Sequence, residues 1–126
     1  MKRRRSNPAA SLGSGGERAA ADFLSGRGYH ILERNFRCRG GEIDLIALDG
    51  SVLVFVEVKV RRTLSRGAPI EAVTALKQAR VRRAAQEYLT FCGRVFQRIR
   101  FDVISVMKTA KNTDITHLKA AFSTTT

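Results

Sequence analysis

Apolar residues change their spacing along this chain, and the changes outline two helices and five strands. Apolar residues three or four positions apart predict a helix, whereas short alternating or continuous apolar runs predict strands. The predicted helices are Gly16 to Arg27 and Thr74 to Cys92, the second with Thr74 as N-cap and Gly93 just past its end. The predicted strands, in chain order, are Tyr29–Phe36, Glu42–Leu48, Ser51–Val60, Arg98–Met107 and Asp114–Ala121. This order predicts an α/β fold in which a mixed sheet packs against helices.

Two neighbouring strands carry acidic residues inside apolar runs. Asp44 lies within Gly41–Ile46, and Glu57 lies within Val54–Val60. Aspartate is disfavoured in strands, and a carboxylate removed from water costs several kcal/mol unless it is paired or binds a metal. These acids therefore indicate a functional site.

The distance between the two acids depends on the turn that joins their strands. Asp49-Gly50 between apolar runs favours a two-residue turn in which Leu48 faces Ser51. In that register Asp44 and Glu57 are diagonal neighbours, roughly 7–8 Å apart at the backbone, so that both carboxylates reach one ion.

The same register predicts which side chains share a face, because side chains in a strand alternate with a period of two. Asp44 is expected opposite Phe55, and Glu42 opposite Glu57. The face with the acids is predicted to carry Glu42, Asp44, Phe55, Glu57 and Lys59. The other face is predicted to carry Ile43, Leu45, Val56, Val58 and Val60.

Two carboxylates beside a lysine favour hydrolysis assisted by a divalent metal. Magnesium keeps several waters and is usually held by one or two carboxylates plus substrate phosphate. The ammonium of Lys59 would lower the pKa of an attacking water or stabilise charge that grows on a phosphate. The alternative is a cross-strand ion pair, with Glu57 and Lys59 on a solvated face and Asp44 or Glu42 facing a basic side chain.

Asp44 followed thirteen residues later by Glu57-Val58-Lys59 resembles the PD-(D/E)xK nuclease superfamily. From about Gly16 to Phe122 the chain is also similar to the small bacterial YraN-type proteins, which are predicted nucleases distantly related to archaeal Holliday junction resolvases. The segments that carry this resemblance are Gly16-Glu17, Gly28-Tyr29, Leu32–Asn35, Arg37–Ile46 and Val54–Lys59. The resemblance implies a restriction-endonuclease-like core, with a mixed sheet flanked by helices.

The resemblance also implies a role for each site residue. Asp44 and Glu57 would bind Mg²⁺ or Mn²⁺, the backbone carbonyl of Val58 would be a third ligand, and Lys59 would lie beside the attacking water. Related nucleases often add an acid from the first helix, which here is Glu17. Glu17 also lies on the apolar stripe of its helix, although an acid in a first turn equally well complements the helix dipole.

Composition adds an electrostatic argument. The chain has 126 residues, 44% of them apolar, and a net charge of +12 with a pI near 11.0. We expect one domain over residues 15–122, a disordered basic arm over 1–14 and a disordered tail over 123–126. From Val58 to Arg100 there are eleven Lys or Arg residues against two acids, which predicts a polyanionic partner.

Basic residues next to the acids are the candidates for phosphate contacts. Arg61 and Arg62 begin a predicted mobile loop, and Lys77, Arg80 and Arg83 lie on the outer face of the second helix. Cations in these positions would hold a nucleic-acid backbone beside the metal. The alternatives are a solvated helix face and a plain connector. DNA is the favoured partner over RNA, and a two-fold homodimer would suit the cutting of two strands.

The remaining polar residues add little chemistry. Cys38 and Cys92 are too far apart for a CxxC motif, and without an export signal they are expected to be reduced thiols in the cytoplasm. His30 and His117 are isolated, so satisfied or surface histidines are expected. Asp102 ranks below Asp44 as a ligand and is expected to pair with an arginine. No apolar run has the eighteen or so residues of a membrane helix, so no membrane partner is expected.

Together these features predict a metal-dependent endonuclease acting on DNA, with branched DNA such as a Holliday junction as a candidate substrate. The alternative is an accessory protein that binds DNA or RNA through the basic surface and performs no chemistry. Metal-dependent cleavage and its loss in an Asp44 variant would distinguish these hypotheses.

Overall fold

A computed structural model describes residues 14–61 and 73–124, which form two helices and five strands. The elements are α1 (Ser14–Gly26), β1 (His30–Cys38), β2 (Gly41–Asp49), β3 (Val52–Arg61), α2 (Ala75–Cys92), β4 (Ile99–Lys108) and β5 (Thr113–Phe122). The predicted order is confirmed, and helix and strand ends differ from the prediction by no more than two residues. Most of the predicted basic arm, Arg62 with the rest of the predicted loop, and the last two residues lie outside the described ranges.

The five strands form one sheet in the order β1-β2-β3-β4-β5. Neighbours are antiparallel except for β3 and β4, which are parallel. A parallel pair requires a crossover connection, and α2 lies in that connection. The predicted α/β fold with a mixed sheet is therefore confirmed.

The helices cover opposite faces of the sheet. Residues Ala20, Ala21 and Leu24 of α1 pack in a cluster with Leu45, Val56 and Ile104. Residues of α2 pack in a second cluster on the other face. The members from α2 are Val81, Ala84, Ala85 and Tyr88, and they contact Phe36, Ile43, Phe55 and Phe101. The predicted apolar stripe of α2 is confirmed, with Leu89 and Cys92 at its half-buried margin.

Both ends of α2 follow the sequence prediction. The hydroxyl of Thr74 accepts a hydrogen bond from the backbone N–H of Lys77 at 3.1 Å, so it satisfies one of the free donors of the first turn. Gly93, just after the helix, has a φ of 70°, which a residue with a side chain rarely adopts. The N-cap fixes where the first turn begins and therefore where Lys77 lies.

The predicted turn between β2 and β3 is wrong by one position. The turn residues are Gly50 and Ser51, and Asp49 pairs with Val52 and Leu48 with Leu53. Gly50, with a φ of 62°, takes the first central position, where glycine avoids the steric cost. Asp49 remains in the strand, where its Oδ2 accepts a hydrogen bond from Arg100 Nη1 at 3.1 Å.

The pairing register consequently shifts by two residues. Phe55 lies opposite Ile46 and not Asp44, and Glu42 pairs with Arg37 of β1 and not with Glu57. A shift of two residues leaves a side chain on its predicted face wherever the strand alternates regularly, because the period of a strand is two. The prediction that Phe55 and Glu57 lie on the same face of the sheet is therefore confirmed.

Candidate active site

Asp44 interrupts the regular alternation of β2. Leu45 packs with the α1 cluster, whereas Ile43 packs with the α2 cluster, on the same side as Ile46. The predicted face of Ile43 is therefore wrong. The reason is local: the pairing between β2 and β3 ends at Leu45, and Asp44 Oδ2 instead accepts a hydrogen bond from the backbone N–H of Val58 at 2.8 Å.

Glu57 lies on the α2 face of β3 and is only 5% exposed. Its Oε2 is 3.6 Å from the ammonium of Lys77, in the first turn of α2. This pair explains how a glutamate is tolerated inside an apolar strand: a nearby cation offsets part of the cost of removing the carboxylate from water. It also brings α2 directly to the acids.

Glu57 is close enough to Asp44 for its negative charge to oppose the ionisation of Asp44. Burial raises the pKa of Asp44 to about 8, the negative charges of Glu57 and Glu17 add to the effect, and the Val58 N–H and Lys77 oppose it. Burial also raises the pKa of Glu57, despite the charges of Lys77 and Lys59. Two such carboxylates hold a proton at neutral pH or require a cation between them.

Lys59 follows Glu57 by two residues in β3, so the alternation of the strand puts both side chains on the α2 face. Its positive charge stabilises the ionised form of Glu57. Lys59 is half-buried, which keeps its ammonium near the acids without removing it from solvent. The backbone N–H of Val58 is taken by Asp44, while the role of its carbonyl as a metal ligand stays a prediction.

The start of α1 approaches the same end of β3. A Cβ atom added at Gly16 would overlap Val60 Cγ2, so the helix and the strand are in close contact at this point. Glu17, the next residue, is half-buried, and its charge contributes to the raised pKa of Asp44. The structure therefore brings Glu17 near the two strand acids, where its role as a further ligand remains a prediction.

The predicted phosphate-contacting residues fall into different places. Lys77 pairs with Glu57, whereas Arg80 and Arg83 are exposed on α2. Arg61 is the last residue of β3 and does not begin a loop as predicted, because β3 continues its pairing with β4 as far as Met107. Arg62 lies outside the described residues.

The donor chemistry of this site fits a hard divalent cation. The two carboxylates are oxygen ligands of the kind that Mg²⁺ and Mn²⁺ prefer, and Mg²⁺ needs only one or two of them because it keeps several waters. Across residues 14–61 and 73–124 there is no grouping of three His, Cys, Asp or Glu side chains that would form a complete protein cage. The arrangement suits a metal that is held partly by water and substrate.

Asp102 shows how a strand acid looks when its role is structural. It is fully buried and accepts hydrogen bonds from Arg100 at 2.9 and 3.0 Å, His117 at 2.7 Å and the Ala120 N–H at 3.0 Å. Burial would raise the pKa of Asp102, but these hydrogen bonds hold it below its usual range. The predicted pairing with an arginine is confirmed, and so is a satisfied His117.

The contact between Lys77 and Glu57 is the feature that sequence reasoning missed. The predicted N-cap at Thr74 already placed Lys77 three residues into α2, on the turn that faces the end of β3. The sequence does not show where the start of α2 lies relative to Asp44 and Glu57, so the contact itself could not be predicted.

Comparison with known proteins identifies relatives over most of the chain. Residues 16–106 match the model of the uncharacterised protein family UPF0102. Similar proteins include UPF0102 proteins from Chlorobium chlorochromatii, 52% identical over 92% of this chain and 94% of the relative, and from Nocardia farcinica, 50% identical over 89% of each. A UPF0102 protein from Symbiobacterium thermophilum is 57% identical over 75% of this chain and 80% of the relative. Within the described ranges, no helix has the length and apolar character needed to span a bilayer.

Proposed function

The chain belongs to the uncharacterised protein family UPF0102, and we propose that it is a metal-dependent endonuclease that hydrolyses DNA phosphodiesters. We place it in the PD-(D/E)xK superfamily, with a restriction-endonuclease-like core. Four-way junctions and other branched DNA are the candidate substrates. The proposal rests chiefly on one observation, the juxtaposition of Asp44 and Glu57.

That juxtaposition is costly for the fold. Burial raises the pKa of both carboxyl groups, and the charge of Glu57 adds to the rise at Asp44, whereas the structural acid Asp102 has a lowered pKa because its oxygens accept several hydrogen bonds. Strongly raised pKa values of neighbouring acids are typical of functional sites. A divalent cation between Asp44 and Glu57 would relieve the repulsion, which gives the arrangement a chemical purpose.

The topology supports the same proposal. The acids lie on β2 and β3, which form an antiparallel hairpin, and α2 then leads to the parallel strand β4. The sequence resemblance implies a mixed sheet flanked by helices for a restriction-endonuclease-like core, and this sheet is mixed. A helix on each face completes the arrangement.

The residues of the site have separate roles in the proposed reaction. Asp44 and Glu57 would hold Mg²⁺ or Mn²⁺, which supplies Lewis acidity and a bound water of lowered pKa. Lys59 stabilises negative charge beside Glu57 and is positioned to do the same for a phosphate in the transition state. When a substrate phosphate binds, the ammonium of Lys77 would contact the phosphate instead of Glu57. The Glu57 carboxylate would then be available to the cation.

Calorimetric titration of Mg²⁺ and Mn²⁺ into the wild type, Asp44→Ala and Glu57→Ala tests the metal site. Each substitution is expected to abolish binding. Asp114→Asn removes an exposed acid from β5 and is the control. Metal binding that persists in Asp44→Ala or Glu57→Ala would disprove the assignment of these ligands.

A gel assay on linear duplex, single-stranded and four-way-junction DNA, with matching RNA, tests the reaction. The wild type is expected to cut DNA only with the metal, and Lys59→Ala is expected to lower the rate about 10²–10³-fold, the usual cost of losing one electrostatic contact to a transition state. Binding of DNA without cleavage under every metal condition would favour a non-catalytic binding protein instead.

A further inference from the structure

A groove of about 570 Å³ lies between the turn that joins β1 to β2 and the first half of α2. Its walls are rich in basic side chains. From the turn and the adjoining strands these are Arg37 and Arg39, and from α2 they are Lys77, Arg80 and Arg83. Glu42 is the acid that also lines the groove.

Three of these cations carry uncompensated charge. Arg37 pairs with Glu42 at 3.3 Å, and Lys77 pairs with Glu57. Within the part of the chain that the structure describes, the other three arginines form no salt bridge with a carboxylate: Arg39, Arg80 and Arg83. All three are exposed. Three free guanidinium groups around one groove are more than solubility requires and form a potential anion site.

Two glycines allow the two walls of the groove to approach each other closely. A Cβ atom added at Gly40 would lie 2.5 Å from the side chain of Arg83, and one added at Gly41 would lie 2.5 Å from the backbone oxygen of Arg80. Only residues without a side chain allow the turn to approach the helix so closely. This contact fixes Arg39 relative to the α2 arginines, so little ordering is needed when a ligand binds.

The groove adjoins the acids of the candidate active site through Lys77. Lys77 lines the groove and contacts Glu57, and the charge of Glu42 raises the pKa of Glu57. A polyanion lying in the groove would therefore pass beside Asp44 and Glu57.

We propose that this groove binds the phosphodiester backbone of the nucleic acid next to the bond that is cut, through Arg39, Arg80 and Arg83. The inference rests on the proposed function, because it assigns a path to the substrate of the same site. Guanidinium groups match phosphate geometry with two parallel hydrogen bonds and retain their charge at all relevant pH values. The β1–β2 turn thereby becomes part of the substrate site.

The test compares two double variants that lose the same charge. Arg39→Gln with Arg83→Gln removes one free arginine from each wall of the groove. Arg98→Gln with Lys119→Gln removes two exposed cations elsewhere, one before β4 and one on β5. Fluorescence anisotropy with labelled single-stranded DNA and the matching duplex, in EDTA and over a range of salt, gives Kd and its salt dependence without cleavage.

In the groove variant the magnitude of the slope of log K against log salt is expected to fall by about 1.4–1.8. A protein that makes two fewer phosphate contacts releases fewer counterions when it binds. At 0.1 M salt this corresponds to about a 25- to 60-fold loss of affinity. The control variant is expected to bind almost as the wild type does, and calorimetric metal binding should be equal in all three proteins.

The possible failures are distinguishable. Equal loss of affinity in both double variants would show nonspecific attraction and overturn the groove, and so would unchanged affinity in the groove variant, even if the wild type cleaves DNA. Selective loss of binding in the groove variant, with no cleavage by the wild type, would support the groove and contradict the endonuclease.

Discussion

Asp44→Asn is expected to stabilise the metal-free protein although it removes a proposed ligand. The carboxyl of Asp44 has its pKa raised to about 8 by burial and by the charges of Glu57 and Glu17, so its ionisation opposes folding. Asparagine has nearly the same shape and carries no charge. Its side-chain oxygen can still accept the hydrogen bond from the Val58 N–H that Asp44 accepts at 2.8 Å.

The sign and size of the effect follow from the titration of Asp44. An unfolded chain releases this proton near pH 3.9, whereas the folded protein holds it to about pH 8, so folding becomes less favourable as the pH rises between these values. Four pKa units at about 1.4 kcal/mol each set an upper limit of about 5.5 kcal/mol. Glu57 takes part of the repulsion, and the amide still has to be desolvated. We therefore expect Asp44→Asn to gain about 2–4 kcal/mol at pH 9 and almost nothing at pH 4.

Urea unfolding in EDTA at pH 4, 7 and 9 measures this difference. Asp22→Asn is the matched control, since Asp22 is exposed on α1, and its effect should stay within about 0.5 kcal/mol. With Mn²⁺ at 100 times its Kd the wild type should gain about 2.7 kcal/mol and the Asp44 variant nothing. An Asp44→Asn protein that is no more stable than the wild type at pH 9 in EDTA would refute the electrostatic argument.

Two further substitutions test other parts of the fold. Asp102→Asn should cost about 3 kcal/mol in urea unfolding at pH 7, because the half-buried Arg100 loses the closer of its two counter-charges and keeps Asp49. Because the pKa of Asp102 is lowered, this loss shrinks as the pH falls below 4, and a cost under about 1 kcal/mol at pH 7 would contradict the prediction. Gly41→Ala should cost about 1–3 kcal/mol of stability and weaken DNA binding, because the added Cβ would push against the Arg80 backbone. Gly26→Ala is the control and should be neutral, since its Cβ meets no atom within 4 Å. Equal stability of the two alanine variants would contradict the tight contact.

The face of Glu57 was predictable from the sequence even though the turn was not. Placing the turn at Asp49-Gly50 shifted the register by two residues, and an even shift leaves every alternating side chain on its face. In the structure Asp49 stays in β2, where it accepts a hydrogen bond from Arg100, 51 residues away in the chain. Local turn preferences contain no information about such a contact.

The break of alternation at Asp44 was not predictable for a related reason. A strict period of two put Ile43 on the face opposite Asp44, but the Asp44 carboxylate takes the Val58 N–H in place of a backbone oxygen, and the strand turns locally. A side chain that replaces a ladder hydrogen bond leaves no mark in the hydrophobic pattern. The acid itself was the signal, because it interrupts an apolar run.

The acids in the strands of this sheet are of two kinds. Asp102 stabilises the fold, whereas Asp44 and Glu57 do not. Asp102 receives hydrogen bonds from Arg100, His117 and a backbone N–H, so its charge contributes to the folded state. Asp44 and Glu57 receive less compensation, from one N–H, from Lys77 at 3.6 Å and from the charge of Lys59, and burial still raises the pKa of both. A sheet that can satisfy one acid so completely could accommodate apolar residues at the other two positions with a gain in stability. The repulsion at Asp44, beside a basic groove, is what we expect of a site that binds a cation and a phosphate, as we propose above.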